Sequence, residues 1–184
     1  MARFGMVPMD TKDPVLSKIF ADVRGYGIEV PNLYRTLGLS PTMLRAWVDF
    51  AWTMRLQSTI SRALREIMIL RSAQVSGTDY EWVHHVPMGL EAGLSQEKID
   101  AIADWRQSTL FDEQERAALV VSEEITRGPG ASAEAMARLG AFFSPLEVME
   151  LVLTLSIYAC VSRIINTMGV DIEDDFRHLV PKRG

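Results

Sequence analysis

The sequence predicts an all-α protein of about seven or eight helices, on three observations. Helix punctuation recurs along nearly the whole chain: Ser, Thr or Asp ahead of an apolar-periodic run, Pro at its first position, Gly at its end. No segment shows the apolar/polar alternation between turn residues that marks a half-buried strand. The connections between periodic runs are short, as in a helical bundle.

Residues 1–30 are mixed in character and are expected to be irregular or partly helical, draped over the rest. "SPTMLRAWVDFAW" opens with Ser40 as N-cap and Pro41 at the first helical position. "STISRALREIMILRSAQVSG" carries Ile60, Ala63, Leu64, Ile67, Met68, Leu70 and Val75, the pattern of a largely buried helix, and Gly77 stops it. "TDYEWVHHVPMGLEAG" restarts at once, with Thr78 as N-cap and Glu81 three residues on, the spacing of a capping box. Pro87 should kink this element or split it into two turns, and Gly93 ends it. "LSQEKIDAIADW" is a short helix capped by Ser95. "FDEQERAALVVSEEITRG" pairs Asp112 with Glu115 as another capping box and closes at Gly128, ahead of the break "GPG". "SAEAMARLGAFF" is a shorter helix. "SPLEVMELVLTLSIYACVSRIINTMG" has Ser144 as cap, Pro145 at N1, Glu147 at N3 and Gly169 at its end. It is apolar on most of its circumference, so it is central to a core or covered by another subunit, which points to an oligomer.

The 184 residues suit a single all-α domain with a real core, and a hydrophobic share of 48% excludes disorder. The net charge of -5 and the lack of any Lys/Arg run argue against nucleic acid and against anionic membrane surfaces. The start has no apolar leader-like region, and the longest charge-free run, residues 151–162, is too short to span a bilayer. A lone cysteine, Cys160, excludes a disulfide within the chain; the expected compartment is cytoplasmic.

The densest chemistry lies in "GTDYEWVHH", residues 77–85, together with Glu66 in "LREIMILR". Glu66 is either a surface acid paired with Arg62 or Arg65 or a partly buried carboxylate suited to proton transfer. Glu81 and His85 are four apart and share a helix face, where a carboxylate raises imidazole basicity; Glu81 and His84 could also pair. Glu66 with Glu81-x-x-His84 is half of a di-iron carboxylate pattern, but the chain has no second Glu-x-x-His and no H-E-x-x-H, so no metal site is expected. The plain structural alternative is that Thr78 and Glu81 only cap a helix and the histidines serve packing.

"LREIMILRSAQVSGTDYEWVHHVPMGLEAGLS" resembles the core signature of the carboxymuconolactone decarboxylase family, which includes AhpD-like alkylhydroperoxidases. "PNLYRTLGLSPTMLRAW" is similar to its lead-in and "SRIINTMGVDIE" to its tail. The resemblance covers about residues 30–172, leaving an N-terminal extension, 1–29, and a short tail, 173–184. It implies an AhpD-like helical bundle assembling as homotrimer or homohexamer, with pockets near subunit contacts. In the redox branch a glutamate and a histidine serve a Cys-x-x-Cys pair. Their counterparts here are Glu66 and His85, and the cysteine positions hold Thr78 and Glu81. Threonine cannot form a sulfenic acid, and Cys160 is expected to be an inert thiol buried in the final helix.

The resemblance therefore favours cofactor-free proton transfer or decarboxylation of a small carboxylated cyclic substrate, with aromatic-degradation intermediates as one source. His85 would move the proton, and Glu66 and Glu81 would hold it. Thr78, Tyr80, Trp82, Met88 and Tyr158 would shape the substrate wall, and Arg65 or Arg71 would meet its carboxylates. The alternatives are an AhpD-like peroxidase, which would have to use Cys160, and a non-catalytic oligomeric binding protein.

Overall fold

Nine α-helices and a closing 3-10 segment make up the described residues, 2–181, of this computed structural model, with no strand among them. They are α1 (Pro14–Gly25), α2 (Asn32–Leu37), α3 (Pro41–Gln57), α4 (Arg62–Ser76), α5 (Asp79–Glu91), α6 (Gln96–Asp100), α7 (Glu113–Arg127), α8 (Ala133–Leu139), α9 (Pro145–Met168) and the 3-10 segment Asp174–Leu179. The expected seven or eight helices become nine because the N-terminal extension supplies α1 and residues 32–37 form α2.

Helix α4 is the hub, packed against α5, α7 and α9. Its apolar residues divide between two clusters, which is why it reads as apolar nearly all round. Leu64 and Met68 join Val121, Leu139, Leu151 and Leu155 of α7, α8 and α9. Ile67 and Leu70 join Val86, Ile99, Ile102, Trp105 and Leu119. A third cluster holds Phe20, Val23, Leu44, Val48, Trp52, Val161 and Ile165 and seats α1 to α3 on the far end of α9. Each such side chain contributes about 1.5–3 kcal/mol by leaving water.

The caps show where the local code holds. Ser61, Ser95, Asp112, Ser132 and Ser144 each accept a backbone N–H at the third position, and Asp112/Glu115 and Ser144/Glu147 close full capping boxes. Gly77 and Gly169 end α4 and α9 in the left-handed conformation that favours glycine. Ser40 and Thr78 make no side-chain cap bond, contrary to expectation. Helix α5 runs through Pro87 without splitting. The lost N–H bond is offset by burial of Val83 and Val86 and by the close approach of Gly89 to Leu94, Ile99 and Leu70, where a Cβ would sit 3.2–3.6 Å from their methyls.

Helix α9, at 24 residues, is long and apolar enough by length and composition to cross a membrane, although its charge-free run alone is not. Here it lies along α4 and α7, with Leu151, Leu155, Val161 and Ile165 buried. Cys160 is exposed on its outer face, not buried as expected: apolar composition all round concealed which face points outward. The first residues do drape over the bundle, since Arg3 N donates to Met168 O and Val7 N to Arg35 O.

Candidate functional site

The left-handed turn at Gly77 folds α5 back against α4 and brings Glu66 and His85 face to face. His85 Nδ1 lies 2.6 Å from Glu66 Oε2, and His85 Nε2 lies 3.4 Å from Glu81 Oε2. His85 is 2% exposed, and both carboxylates are buried with it. One imidazole thus sits between two acids, one from the facing helix and one a turn back on its own. The Glu81 side chain turns to His85 instead of closing the cap at Thr78.

Charge follows from this geometry. Burial opposes the imidazolium, but the Tyr158 phenol oxygen, the Glu66 carboxylate and Glu81 together raise the His85 pKa well above its ordinary 6.5. Burial pushes Glu66 up, while His85, then Arg55 and Arg62, pull harder and leave it below 4.5. The resting pair is a carboxylate and an imidazolium. Such an imidazolium is set up as a proton donor, with Glu66 fixing the ring.

Tyr158 from α9 meets His85 edge-on, ring centroids 5.0 Å apart and planes at 87°. Its hydroxyl accepts from Arg55 Nη2 at 3.4 Å. Tyr34 of α2 belongs to the same neighbourhood: burial raises its pKa, and Arg55 pulls the other way. Arg55 and Tyr34 were missed in the sequence, because they arrive from α3 and α2 by tertiary packing and no spacing ties them to residues 66–85. The basic, aromatic segment "WTMRL" was the only signal for Arg55, and the place of Tyr34 in "PNLYRTLGL" the only one for Tyr34.

The other expected residues are placed as follows. Arg65 donates to the carbonyls of Met54 and Arg55 at 2.9 and 3.3 Å, tying the end of α3 to α4. Arg71 pairs with Glu123, away from His85. Thr78 is buried, its hydroxyl 3.0 Å from Ser76 Oγ and 3.2 Å from Asn166 Nδ2. Thr78 and Trp82, with Arg71, Gln74 and Asp79, line a surface hollow of about 400 Å³. Met88 is half-buried one turn beyond His85.

Tyr80 and His84 look to the C-terminal tail. Tyr80 donates to Glu173 Oε1 at 2.9 Å and accepts from Leu33 N at 3.1 Å. His84 Nε2 is 2.8 Å from Glu173 Oε2, and Phe176 packs against its ring at a 36° tilt, centroids 4.2 Å apart. His84 is therefore a half-buried anchor for residues 173–176, and the two histidines divide between structure and site. Both ring nitrogens of His85 face carboxylates, and among the described residues no group of three or more His, Cys, Asp or Glu is placed to hold a metal.

A model of the carboxymuconolactone decarboxylase family matches residues 41–124, a span that takes in Arg55, Glu66, Glu81 and His85. The uncharacterized protein YnjA of Escherichia coli strain K12 is 30% identical over 150 residues, which cover 80% of this chain and 81% of YnjA. Among solved structures, a variant of the debrominase Bmp8 in complex with 2,3,4-tribromopyrrole superposes with a TM-score of 0.80 at 20% identity, over 95% of this chain and 94% of that one. The alkylhydroperoxidase AhpD core of a peroxidase-related protein from Ralstonia eutropha JMP134 does so with a TM-score of 0.75 at 18% identity, over 96% and 93%. At these identities the structural likeness is one of fold.

Proposed function

The chain belongs to the carboxymuconolactone decarboxylase family, and from that premise we propose that it is a thiol-independent acid–base enzyme acting on a small carboxylated cyclic substrate. The buried 2.6 Å contact between Glu66 and His85 carries this reading. Glu66 holds Nδ1, so Nε2 is the atom that exchanges a proton, with Glu81 3.4 Å away to take it or return it. In decarboxylation the carbon–carbon bond to the carboxylate breaks, and its electron pair is delocalised into the ring system. The His85 imidazolium then protonates the carbon. Burial strengthens these electrostatic terms by excluding water. The test is turnover of a carboxymuconolactone by the wild-type chain, His85→Ala and Cys160→Ser. The expected result is loss only in His85→Ala; turnover unaffected by loss of His85 overturns the reading.

A second reading, an AhpD-like peroxidase, is supported by what the structural neighbours are called, an AhpD core among them. It needs a thiolate to attack a peroxide oxygen, so that an S–O bond forms, the O–O bond breaks, the alcohol or water departs and the cysteine becomes a sulfenic acid. The chain's single cysteine is Cys160, exposed on α9. Hydroperoxide consumption that disappears in Cys160→Ser would favour this reading over the first. A third, a non-catalytic binding oligomer, draws on the tight enclosure of His85 and expects neither activity.

A further inference from the structure

Arg55 is the charged member of the buried cluster that lacks an opposite charge in contact. Glu66, Glu81 and His85 satisfy one another, whereas among the described residues no carboxylate lies within ion-pair distance of the Arg55 guanidinium. A guanidinium carries five N–H donors in a planar fork. Here one of them makes a long bond, 3.4 Å, to the Tyr158 hydroxyl. The fork lies over the Trp52 ring, 5.3 Å from its centroid. The indole Nε1 of Trp52 is itself buried, approaching Tyr34 without closing a hydrogen bond. Two neighbouring side chains thus hold donors in reserve, and Tyr158, which accepts from Arg55, also meets the His85 ring.

The position is built for precision. Arg65 fixes the backbone of the last turn of α3 by donating to the Met54 and Arg55 carbonyls. The negative end of the α3 dipole accounts for a cation in that turn. It does not account for drawing the cation inward against Trp52 and Tyr158. An anion would give the guanidinium the charge partner that the described residues do not, and a carboxylate matches the fork with two parallel bonds.

The geometry points to Arg55 as the anchor for a carboxylate of the substrate, seated on its unused N–H edge beside Trp52 and one tyrosine ring from His85. This rests on the acid–base reading of His85 and gives its substrate a charge and a polarity. A carboxylate paired with a guanidinium is stabilised in the ground state, so the anchored group is one the reaction retains and not one it expels. The assignment moves substrate recognition to Arg55 from Arg65, whose two terminal nitrogens are held by the Met54 and Arg55 carbonyls, and from Arg71, which pairs with Glu123.

The experiment is calorimetric titration of the full chain with benzoate and with its neutral isostere benzamide. Wild type is expected to bind benzoate saturably and benzamide at least tenfold more weakly. Arg55→Met should weaken benzoate at least tenfold and remove the preference for it, and Arg55→Lys should keep part of that preference. His85→Gln should bind benzoate as wild type does while losing turnover, which separates failure of the anchor from failure of the proton-transfer reading. Equal binding of the two ligands by wild type, no benzoate binding by wild type, or wild-type benzoate affinity in Arg55→Met each overturns the proposal. Should Arg55→Met fail to fold, the benzoate and benzamide titrations of wild type and Arg55→Lys decide the matter.

Discussion

His85 Nδ1 donates to Glu66 Oε2 across the α4–α5 contact at 2.6 Å, with both side chains out of solvent. Only the carboxylates and the Tyr158 oxygen keep a charged imidazole stable at that depth, because burial alone drives its pKa down. In Glu66→Gln the balance tips, and the His85 ring titration, followed by NMR, should move down markedly from its raised wild-type position. In His85→Ala turnover should fall by about 100-fold or more, the range of a lost general acid. A ring titration unchanged in Glu66→Gln contradicts the assignment of the charged pair.

The same pair sets a pH window for stability. His85 has a raised folded pKa, so its contribution is complete below the ordinary 6.5 and declines as pH rises through the raised value. Glu66 has a lowered folded pKa, so its contribution is present above 4.5 and is lost as pH falls through the lowered value. The excess stability of wild type over His85→Gln, from urea midpoints, should be largest between about pH 4.5 and 6.5 and shrink on both sides. An excess that grows on the alkaline side shows the sign to be wrong.

A second buried acid serves the fold. Glu123 accepts from Arg71, Arg106, Arg127 and the Trp105 indole, and although burial works against its charge these donors hold its pKa at about 2. Arg106 and Arg127 are half in solvent, but Arg71 is only 12% exposed. Glu123→Gln removes the carboxylate that Arg71 pairs with and leaves it only Gln74 Oε1 and the Ile102 and Ala103 carbonyls, at a cost of about 3 kcal/mol, the lower end for breaking a buried ion pair. The melting temperature should drop by roughly 6–12 °C, with the His85 ring titration unmoved. A shift in that titration would mean the two clusters communicate through α4.

Glu66 and His85 were legible because each sits on a strongly periodic helix and the Gly77 stop dictates an antiparallel return. The capping box at Thr78 was misread because the Glu81 carboxylate turns to the buried His85 imidazole, while the Thr78 backbone N–H already donates to the Ala73 carbonyl. Arg55 and Tyr34 were out of reach because their approach depends on how α2 and α3 pack over α9. The burial expected of Cys160 failed for a related reason. In a helix apolar all round, composition does not distinguish the core side from a side awaiting another chain.

Residues 78 and 81 offer a gain-of-function test of the site's ancestry. By resemblance they stand where a Cys-x-x-Cys pair would be, in the first turn of α5, where the helix dipole lowers a thiol pKa. Thr78→Cys with Glu81→Cys should raise thiol-driven hydroperoxide consumption above that of the wild-type chain. Either cysteine alone should give less, since the resolving thiol is then missing. Activity in wild type equal to the double variant would show that Cys160 already does this work.

The exposed side of α9 bears on assembly. Leu146, Met149 and Leu153 are 60%, 57% and 39% exposed, and Ser156 and Cys160 continue the same side of the helix. Spacings of three and four residues are those of a seam that packs against another helix. A monomer that left this stripe in water would forgo the burial that its composition makes available. The stripe predicts self-association through α9, and the resemblance to the family implies that the associated form is a homotrimer or homohexamer. Met149→Glu with Leu153→Glu should shift it toward monomer without changing its helical circular dichroism, because neither side chain belongs to the buried clusters. A wild-type chain that sediments as a monomer, or a double variant that keeps the wild-type assembly, removes α9 as the contact.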